Sequence, residues 1–279
     1  MKSKMKRLAW ILAAWTLAAA LLPTAGAIDT GKNIGTLPQT KEKITIDGKK
    51  DTIYDQGLKF AVDMIGTETA EKSETKGTAY FLWDGAKTFY AYVEVKDSTM
   101  VAWNEESYKS APWNNDSVEL FFDFKNDGAK RDQYRIDTNN KPSYYDSKSI
   151  ITDLAKYGFD AYACVKTANG YNVEFQVSSY AVSVAAGAKI GIDWQVNDMM
   201  DATKRATIHY NSSLQAKGSV KKFDYIVLGS NVVSLPKETA KPAAAPAAVS
   251  APKTADASVV LAAVIGSAAA AVLILKKKH

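Results

Sequence analysis

The most constraining feature of this 279-residue chain is an alternation of apolar and polar residues, interrupted by short turn-forming segments. From Thr88 to Lys96 every second residue is apolar, which is typical of a β-strand with one buried face. The aromatic-rich run from Thr78 to Trp83 precedes it, and Asp84-Gly85 between the two runs is a tight-turn dipeptide. The two runs are therefore predicted to form a β-hairpin.

Runs of the same kind continue through the middle of the chain. They lie at Ser117 to Phe124, Gln133 to Asp137, Ala161 to Thr167, Tyr171 to Val177, Lys189 to Asn197, Thr207 to Tyr210 and Asp224 to Leu228. Helix is expected only in short pieces, such as Ile151 to Tyr157. Short strands at regular spacing, with turns such as Asn169-Gly170 between them, predict an all-β fold, a jelly-roll-like antiparallel β-sandwich.

The first 27 residues have the pattern of a secretory signal peptide. Basic residues precede an apolar run from Leu8 to Leu22, and Ala25-Gly26-Ala27 supplies a small-residue cleavage site. An uncleaved anchor is the alternative, although the apolar run is short and rich in alanine. Residues 28–43 are interpreted as a lead-in to a single folded domain, predicted over residues 44–228.

The C-terminal part predicts attachment to a surface. An Ala/Pro/Lys-rich spacer over residues 229–256 precedes an apolar run, 257–275, and a basic tail, 276–279. The apolar run is long enough to cross a bilayer as a helix, with the terminal lysines on the cytoplasmic side. The sequence therefore predicts a secreted protein tethered at a bacterial membrane or cell wall.

The segment Pro252-Lys253-Thr254-Ala255-Asp256 resembles a sortase sorting signal, in which a Pro-x-Thr core precedes an apolar helix and a basic tail. The usual leading leucine is Ala251 here, and the usual glycine is Ala255. The resemblance implies covalent attachment to the cell wall. Membrane anchoring without sorting stays open beside it.

The charge distribution argues against a nucleic-acid partner, and none is expected. The formal net charge is +5, but the signal peptide and the tail hold seven of the basic residues. Without those seven, 28 Lys+Arg stand against 30 Asp+Glu, and the body has no basic stripe that would hold a phosphate backbone.

The segment from Pro112 to Asp123 carries the most specific chemistry. Trp113 lies in a polar loop directly before a strand, on which Glu119 falls on the opposite face from Val118 and Leu120. A sugar ring stacks its C–H face on an indole and hydrogen-bonds its hydroxyls to nearby acceptors. The segment therefore suggests a saccharide site, and the alternative is that Trp113 only caps the edge of a core.

With this segment, the order of motifs resembles the family 9 carbohydrate-binding modules, which accompany bacterial xylanases. The motifs are Ile46-Asp47-Gly48, Leu82-Trp83-Asp84, Val93 to Asp97, Pro112 to Asp123, Gln133-Tyr134-Arg135 and Gln195 to Asp198. The resemblance implies a β-sandwich that binds the ends of polysaccharides or oligosaccharides, such as xylan and cellulose, in a slot between two tryptophans.

The resemblance also implies roles for individual residues. Trp113 matches the first tryptophan of the slot, Glu119 an acceptor for sugar hydroxyls and Arg135 a donor on the neighbouring strand. Asp137 lies where a further polar contact is expected. Glu119 and Arg135 are expected on one exposed face, where such an ion pair contributes roughly 0 to 1 kcal/mol to stability.

A second aromatic wall and a calcium site are also expected from the resemblance. The second tryptophan of the slot has no counterpart in Asn211 to Gly218, so Tyr210 or Trp103 is predicted to take its place. Members of the family can bind structural calcium through loop oxygens, which Asn126 and Asp127 offer here.

The residues do not favour an enzyme. His209 is the only histidine outside the tail, and no Gly-x-Ser-x-Gly motif occurs, so hydrolase and zinc chemistry have little support. We therefore predict a non-catalytic binding module. The alternatives are a structural or adhesion protein that keeps the sandwich without binding sugar, and a haem protein using His209 with Met199 or Met200.

Overall fold

The described part of the chain is built almost entirely from β-strands. The computed structural model describes residues 31–236 without 63, 66–72, 146–149, 152–153 and 211–222, and only the backbone at 64, 65 and 155. The strands are β1 (Asn33–Thr40), β2 (Leu58–Val62), β3 (Met64–Ile65), β4 (Lys76–Trp83), β5 (Thr88–Lys96), β6 (Ser117–Asp123), β7 (Asp132–Asp137), β8 (Pro142–Tyr145), β9 (Ile150–Ile151), β10 (Phe159–Thr167), β11 (Gly170–Ser178), β12 (Lys189–Met199), β13 (Arg205–His209) and β14 (Asp224–Val233).

The strands form one continuous sheet that folds into two layers. Its order is β10-β11-β5-β4-β1-β14-β12-β6-β7-β8-β9, while β2 pairs with β4, and β13 pairs with both β12 and β3. Strands β10, β11, β5 and β4 make the first layer, and β14, β12, β6, β7 and β8 make the second. Pairing is antiparallel except at β1, which runs parallel to β14 and β4.

The core lies between these layers because alternate residues of each strand point inward. Phe89 of β5 contacts Phe122 of β6, with ring centroids 5.7 Å apart, and Tyr134 of β7 contacts Phe159 of β10 at 5.2 Å. Trp83 and Trp194, which the sequence pattern placed in strands, are fully buried in this core. The prediction of an all-β sandwich is therefore confirmed.

The folded β-structure extends beyond the predicted domain of residues 44–228 at both ends. Strand β1 lies inside the predicted lead-in, and β14 continues to Val233, inside the predicted spacer. Gly35 and Pro38 obscure the strand pattern of β1, and the pairing with β14 shifts register near each of them. The end of β14 has exposed side chains, so its backbone pairing with β1 defines it rather than any apolar pattern.

Helices are few and short in the described residues. They are α1 (Glu105–Ser110) and three 3-10 turns, Thr52–Gln56, Pro112–Asn114 and Ala155–Tyr157. Of the helix predicted over Ile151 to Tyr157, Ile151 is the end of β9 and residues 155–157 form the last of these turns, which ends at Gly158 with a φ of 68°, while residues 152 and 153 lie outside the described residues.

Within the described ranges, no helix has the length and apolar character needed to cross a membrane. The predicted signal peptide, 1–27, and the predicted anchor with its tail, 257–279, lie outside the described residues.

The outward face of the first layer is closed by the segment that follows β1. Ile53 and Tyr54 of this segment pack on Tyr80, Leu82 and Tyr92, which point away from the main core. This second apolar cluster buries side chains that an exposed sheet face would leave in water.

A buried carboxylate, Glu174 of β11, ties the same segment down. It accepts a hydrogen bond from the Tyr54 hydroxyl at 3.0 Å and two from the backbone N–H groups of Asp47 and Gly48, each at 3.0 Å. The Ile46-Asp47-Gly48 motif therefore docks its backbone on the first layer.

Candidate functional site

The candidate site lies on the outward face of the second layer, where three strands align polar residues. In the observed register, Glu119 of β6 is paired with Arg135 of β7 on one side and with Gln195 of β12 on the other. Side chains directly opposite one another in an antiparallel pair lie on the same face and within contact distance. The predicted proximity of Glu119 and Arg135 follows from this register.

Glu119 and Arg135 form a buried ion pair. Arg135 Nε donates to Glu119 Oε1 at 2.7 Å, and the two side chains are only 3% and 2% exposed, in that order. Burial alone would raise the pKa of Glu119, but the Arg135 guanidinium and the Asn197 amide outweigh it and hold that pKa below its ordinary value. Glu119 is therefore kept ionised.

The Glu119 carboxylate is fully occupied by donors from the protein. Besides Arg135, Asn197 Nδ2 donates to Oε1 at 2.8 Å, and the side-chain amides of Gln133 and Gln195 donate to Oε2 at 2.6 and 3.2 Å. A carboxylate offers about four acceptor positions, so these four donors saturate it. In this arrangement Glu119 fixes its neighbours rather than presenting a free acceptor.

The expectation that this ion pair is exposed and energetically minor is wrong. The neighbouring strands enclose both side chains, and the guanidinium of Arg135 lies 5.8 Å from the centroid of the Trp113 ring. Removing one partner of such a buried pair leaves an uncompensated charge, which costs about 3–5 kcal/mol. Sequence alternation assigns a side chain to a face, but it does not reveal what covers that face.

Trp113 is half-buried and lies beside the Glu119–Arg135 pair, as predicted from the loop that precedes β6. The 3-10 turn Pro112–Asn114 holds it, and the fixed φ of Pro112 suits the first position of the turn. The contact with Arg135 has the geometry of a cation–π interaction. Trp113 therefore presents a partly exposed aromatic ring directly beside the guanidinium of Arg135.

Trp103 lies at the neighbouring end of the same face. Its Nε1–H donates to Asp137 Oδ2 at 2.7 Å, and Asp137 is paired with Ser117. The other oxygen of Asp137 accepts backbone N–H groups of the following turn, at Asn139 and Lys141. Burial raises the pKa of Asp137, and the Trp103 hydrogen bond offsets part of that rise. Asp137 therefore orients Trp103.

Tyr210, the other predicted substitute for the missing tryptophan, is not brought to this face. Its backbone N–H bonds to the carbonyl of Trp194, whose side chain is in the core, and its ring contacts Phe60 at a centroid distance of 5.1 Å. Strand alternation places residue 210 on the face opposite to His209. Residues 211–218, where the second tryptophan was expected, lie outside the described residues.

Four polar residues of the site had no role assigned from the sequence: Gln133, Ser143, Gln195 and Asn197. Ser143 Oγ accepts from Arg135 Nη1 at 2.7 Å, and the other three bind Glu119. Gln133, Gln195 and Asn197 stood in the recognised motifs. Their common face becomes evident only once β7 and β12 are known to flank β6.

The turn that holds Asn126 and Asp127, where calcium is expected, is closed by hydrogen bonds to its carboxylates. The carboxylates of Asp123 and Asp127 accept backbone N–H groups of Lys125, Gly128 and Ala129, which closes the turn after β6. In the parts of the chain that the structure describes, three closely spaced carboxylates occur elsewhere, at Asp97, Asp116 and Asp198. Turn closure uses the same residue types as calcium binding, so the calcium site at Asn126 and Asp127 stays a prediction.

The haem alternative is also unsupported by the geometry. His209 is paired with Gln195, whereas Met199 lies four residues further along β12, which corresponds to about 13 Å, and Met200 follows it. Two axial ligands must approach one iron from opposite sides. His209 and the two methionines come from neighbouring strands of one sheet and are separated along it, so they do not offer that arrangement.

Comparisons with known proteins agree with this architecture. A family model described as "Carbohydrate family 9 binding domain-like" matches residues 46–222. Exoglucanase XynX of Acetivibrio thermocellus is 33% identical over 170 residues, and endo-1,4-beta-xylanase A of Thermoanaerobacterium saccharolyticum is 32% identical over 170 residues. Each match covers 58% of this chain but only 14% and 13%, respectively, of those much longer proteins.

Two solved structures of a family 9 carbohydrate-binding module from Caldicellulosiruptor kristjanssonii share the fold. One is in complex with cellotriose and has a TM-score of 0.57 at 22% identity, covering 74% of this chain and 99% of the module. The other is in complex with glucose and has a TM-score of 0.53 at 23% identity, with 73% and 99% coverage.

Proposed function

Because this chain belongs to the family described as carbohydrate family 9 binding domain-like, we propose that it is a non-catalytic module that binds ends of polysaccharides or oligosaccharides. The observation that carries the proposal is the half-buried Trp113 ring beside an Arg135 that is fixed by Glu119. The related modules in complex with cellotriose and glucose support a glucan ligand, and the xylanase relatives support xylan as a second one.

In the proposed mode of binding, the Trp113 indole stacks on the C–H face of a terminal sugar. Arg135 donates from Nε and Nη1 to protein acceptors, and its Nη2 is the proposed donor to a sugar hydroxyl. Glu119 acts as the positioning residue of this guanidinium. Trp103, oriented by Asp137, is the proposed second aromatic wall, in place of Tyr210.

The absence of catalysis is proposed from the state of the nearby carboxylates. A glycosidase needs one carboxyl group with a raised pKa as acid and a second carboxylate across the scissile bond. Glu119 has a lowered pKa and four protein donors. Burial raises the pKa of Asp137, but both of its oxygens already accept hydrogen bonds, one from Trp103 and the other from the backbone turn. Neither group is available to transfer a proton to a leaving sugar.

Titration of the purified chain with glucose, cellobiose and xylobiose, followed by tryptophan fluorescence, tests this proposal. Saturable binding is expected, and Trp113→Ala is expected to abolish it while lowering stability by only about 1 kcal/mol. Tyr180→Ala is the matched control. It removes a half-exposed aromatic ring that contacts neither Glu119 nor its four donors, and it should bind sugar normally.

The second candidate function is a surface structural or adhesion protein that keeps the sandwich without binding sugar. The saturated carboxylate of Glu119 favours it, because no free acceptor is left at that position. No binding by the unmutated protein, together with a large stability loss in Trp113→Ala, would establish this alternative over the first.

We also propose that the protein is exported and held at the bacterial cell surface. The pattern of the signal peptide, the spacer and the apolar run with its lysine tail supports this localisation. Deleting residues 257–279 is expected to release the protein into the medium. Thr254→Ala separates the two modes of tethering, because it should impair wall attachment by a sortase and leave a membrane anchor unaffected.

A further inference from the structure

A third half-buried aromatic ring, that of Tyr108, lies next to Trp103. The two ring centroids are 6.0 Å apart, and the ring planes meet at 42°. Tyr108 is carried by α1, and no residue of that helix is buried, so the ring is not part of the core. The mode of sugar binding proposed above gives this ring no role.

The two tryptophans of the site are anchored two residues apart on β7. The guanidinium of Arg135 lies 5.8 Å from the centroid of the Trp113 ring, and Trp103 donates to Asp137 at 2.7 Å. Residues two positions apart in a strand share a face and are separated by about 7 Å. The two anchors therefore mark neighbouring points of one surface.

Tyr108 is anchored at the same height on the next strand. Its hydroxyl donates to the backbone carbonyl of Pro142, in β8, at 2.7 Å. Pro142 is paired with Ile136, which lies between Arg135 and Asp137 on β7. The ring of Tyr108 therefore extends the aromatic surface of the two tryptophans from β7 towards β8.

A buried asparagine holds the segment of Trp103 and Tyr108 in place. Asn115, which is 2% exposed, accepts the backbone N–H of Asn104 at 2.7 Å and donates to the carbonyl of Asn104 at 3.1 Å. Asn115 ends the turn that carries Trp113, whereas Asn104 follows Trp103 and caps α1. One side chain thus joins the aromatic segments, which lowers the entropy cost of ordering them on binding.

We propose that Tyr108, together with Trp103, forms a further saccharide subsite, so that the ligand is a chain of at least three sugar units. This inference rests on the proposed function and names the length of chain that the same site binds. Each pyranose unit presents a C–H face that stacks on an aromatic ring, and an exposed aromatic surface of this kind marks an interaction site. With one unit for each ring, the terminal unit lies at Trp113, the next at Trp103 and the third at Tyr108.

Isothermal titration calorimetry of the full chain with cellobiose and cellotriose tests the additional subsite. Cellotriose should bind about fivefold to tenfold more tightly than cellobiose, because one more aromatic contact contributes to the free energy of binding. Xylobiose and xylotriose are titrated in parallel, since the proposed function includes xylan. The same step in affinity is expected between these two sugars.

Tyr108→Ala is the informative variant. It should bind the disaccharide and the trisaccharide with equal affinity, and its affinity for the disaccharide should stay within about twofold of that of the unmutated protein. Tyr108→Phe keeps the ring and loses only the bond to Pro142, so it should retain most of the preference for the trisaccharide. If Tyr108→Ala does not fold, Tyr108→Leu provides the same comparison, because leucine keeps apolar packing without an aromatic face.

Tyr180→Ala is the matched control for this comparison. It also removes a half-exposed tyrosine whose hydroxyl is hydrogen-bonded within the protein, in this case to Asp132, and it should keep the full preference for the trisaccharide.

Equal affinity of the unmutated protein for disaccharide and trisaccharide would overturn the additional subsite and leave the proposed function standing. A loss of the same size for both sugars in Tyr108→Ala would also overturn it, because the ring would then only support Trp103. Absence of any sugar binding by the unmutated protein would contradict the proposed function itself, and the subsite with it.

Discussion

Two buried glutamates, one on the outward face of each layer, show how the same side chain serves different purposes. Glu119 of the second layer has a cationic partner and four donors, and its pKa is lowered. Glu174 of the first layer has three donors, two from backbone N–H groups and one from Tyr54, but no cationic partner among the described residues, so burial raises its pKa to about 7. The cation decides which carboxylate remains ionised on burial.

The two glutamates also differ in what covers them. The segment that follows β1 packs over Glu174, and its Ile53 and Tyr54 belong to a separate apolar cluster. Glu119 lies beneath the Trp113 loop, whose indole remains partly exposed. In the first layer, Glu174 therefore stabilises the fold by binding the covering segment. In the second layer, Glu119 orients Arg135 beneath the partly exposed ring of Trp113.

The largest expected effect is that of breaking the ion pair. Arg135→Met should lower the free energy of unfolding by about 3–5 kcal/mol, because it strands the Glu119 charge in a buried site. The double variant Glu119→Gln/Arg135→Met should recover a large part of that loss. Chemical denaturation of the three proteins measures both effects, and equal stability of the single and double variants would show that the pair is not coupled.

The pH dependence of stability should differ between the two regions. The folded-state pKa of Glu174, about 7, lies above its ordinary value of 4.5, so the folded protein binds more protons between these values. The free energy of unfolding should therefore fall by as much as about 3 kcal/mol as pH rises from about 4.5 to 7. Glu119 acts in the opposite direction, since its contribution is present above about 4.5 and is lost as pH falls through its lowered pKa.

Glu174→Gln isolates the first of these contributions. The glutamine keeps the shape and an acceptor for the backbone N–H groups, but it does not titrate. Denaturation midpoints measured across this pH range should show the Glu174 decrease in the unmutated protein and its absence in the variant. A decrease of the same size in both proteins would assign the effect to another group.

The sequence predicted which residues share a face of the sheet better than it predicted how deeply their side chains are buried. Alternation placed Glu119 and Arg135 on one face, and the observed register confirms that they are paired. Their burial was not predictable, because it depends on loops and strands distant in sequence. For the same reason, the sequence did not indicate that Asp97, Asp116 and Asp198 lie close together.

The prediction of the β-strands was limited in the same way, because it depended on local sequence pattern. Strand β5 coincides with its predicted run from Thr88 to Lys96, because its alternation reflects one buried face. Strand β1 was missed because its parallel pairing with β14 is formed by backbone groups across a chain separation of nearly 200 residues, and Gly35 and Pro38 disguise it. The local alternation of apolar and polar residues indicates which side chains are buried, whereas backbone pairing between distant segments produces no such sequence pattern.

The smallest expected effect comes from removing a single donor in each region. Gln195→Met deletes one of four donors to Glu119, and Tyr54→Phe deletes one of three donors to Glu174. Each change should lower the free energy of unfolding by about 1 kcal/mol at about pH 5.

The two losses should differ in their pH dependence. The loss caused by Gln195→Met should stay constant to about pH 8, because Arg135 keeps Glu119 ionised throughout. The Tyr54→Phe cost should grow to about 2 kcal/mol, because Glu174 ionises over this range and a hydrogen bond to a charged acceptor is the stronger one. Denaturation midpoints at both pH values measure the difference, and equal pH slopes for the two variants would contradict the distinction between the paired and the unpaired glutamate.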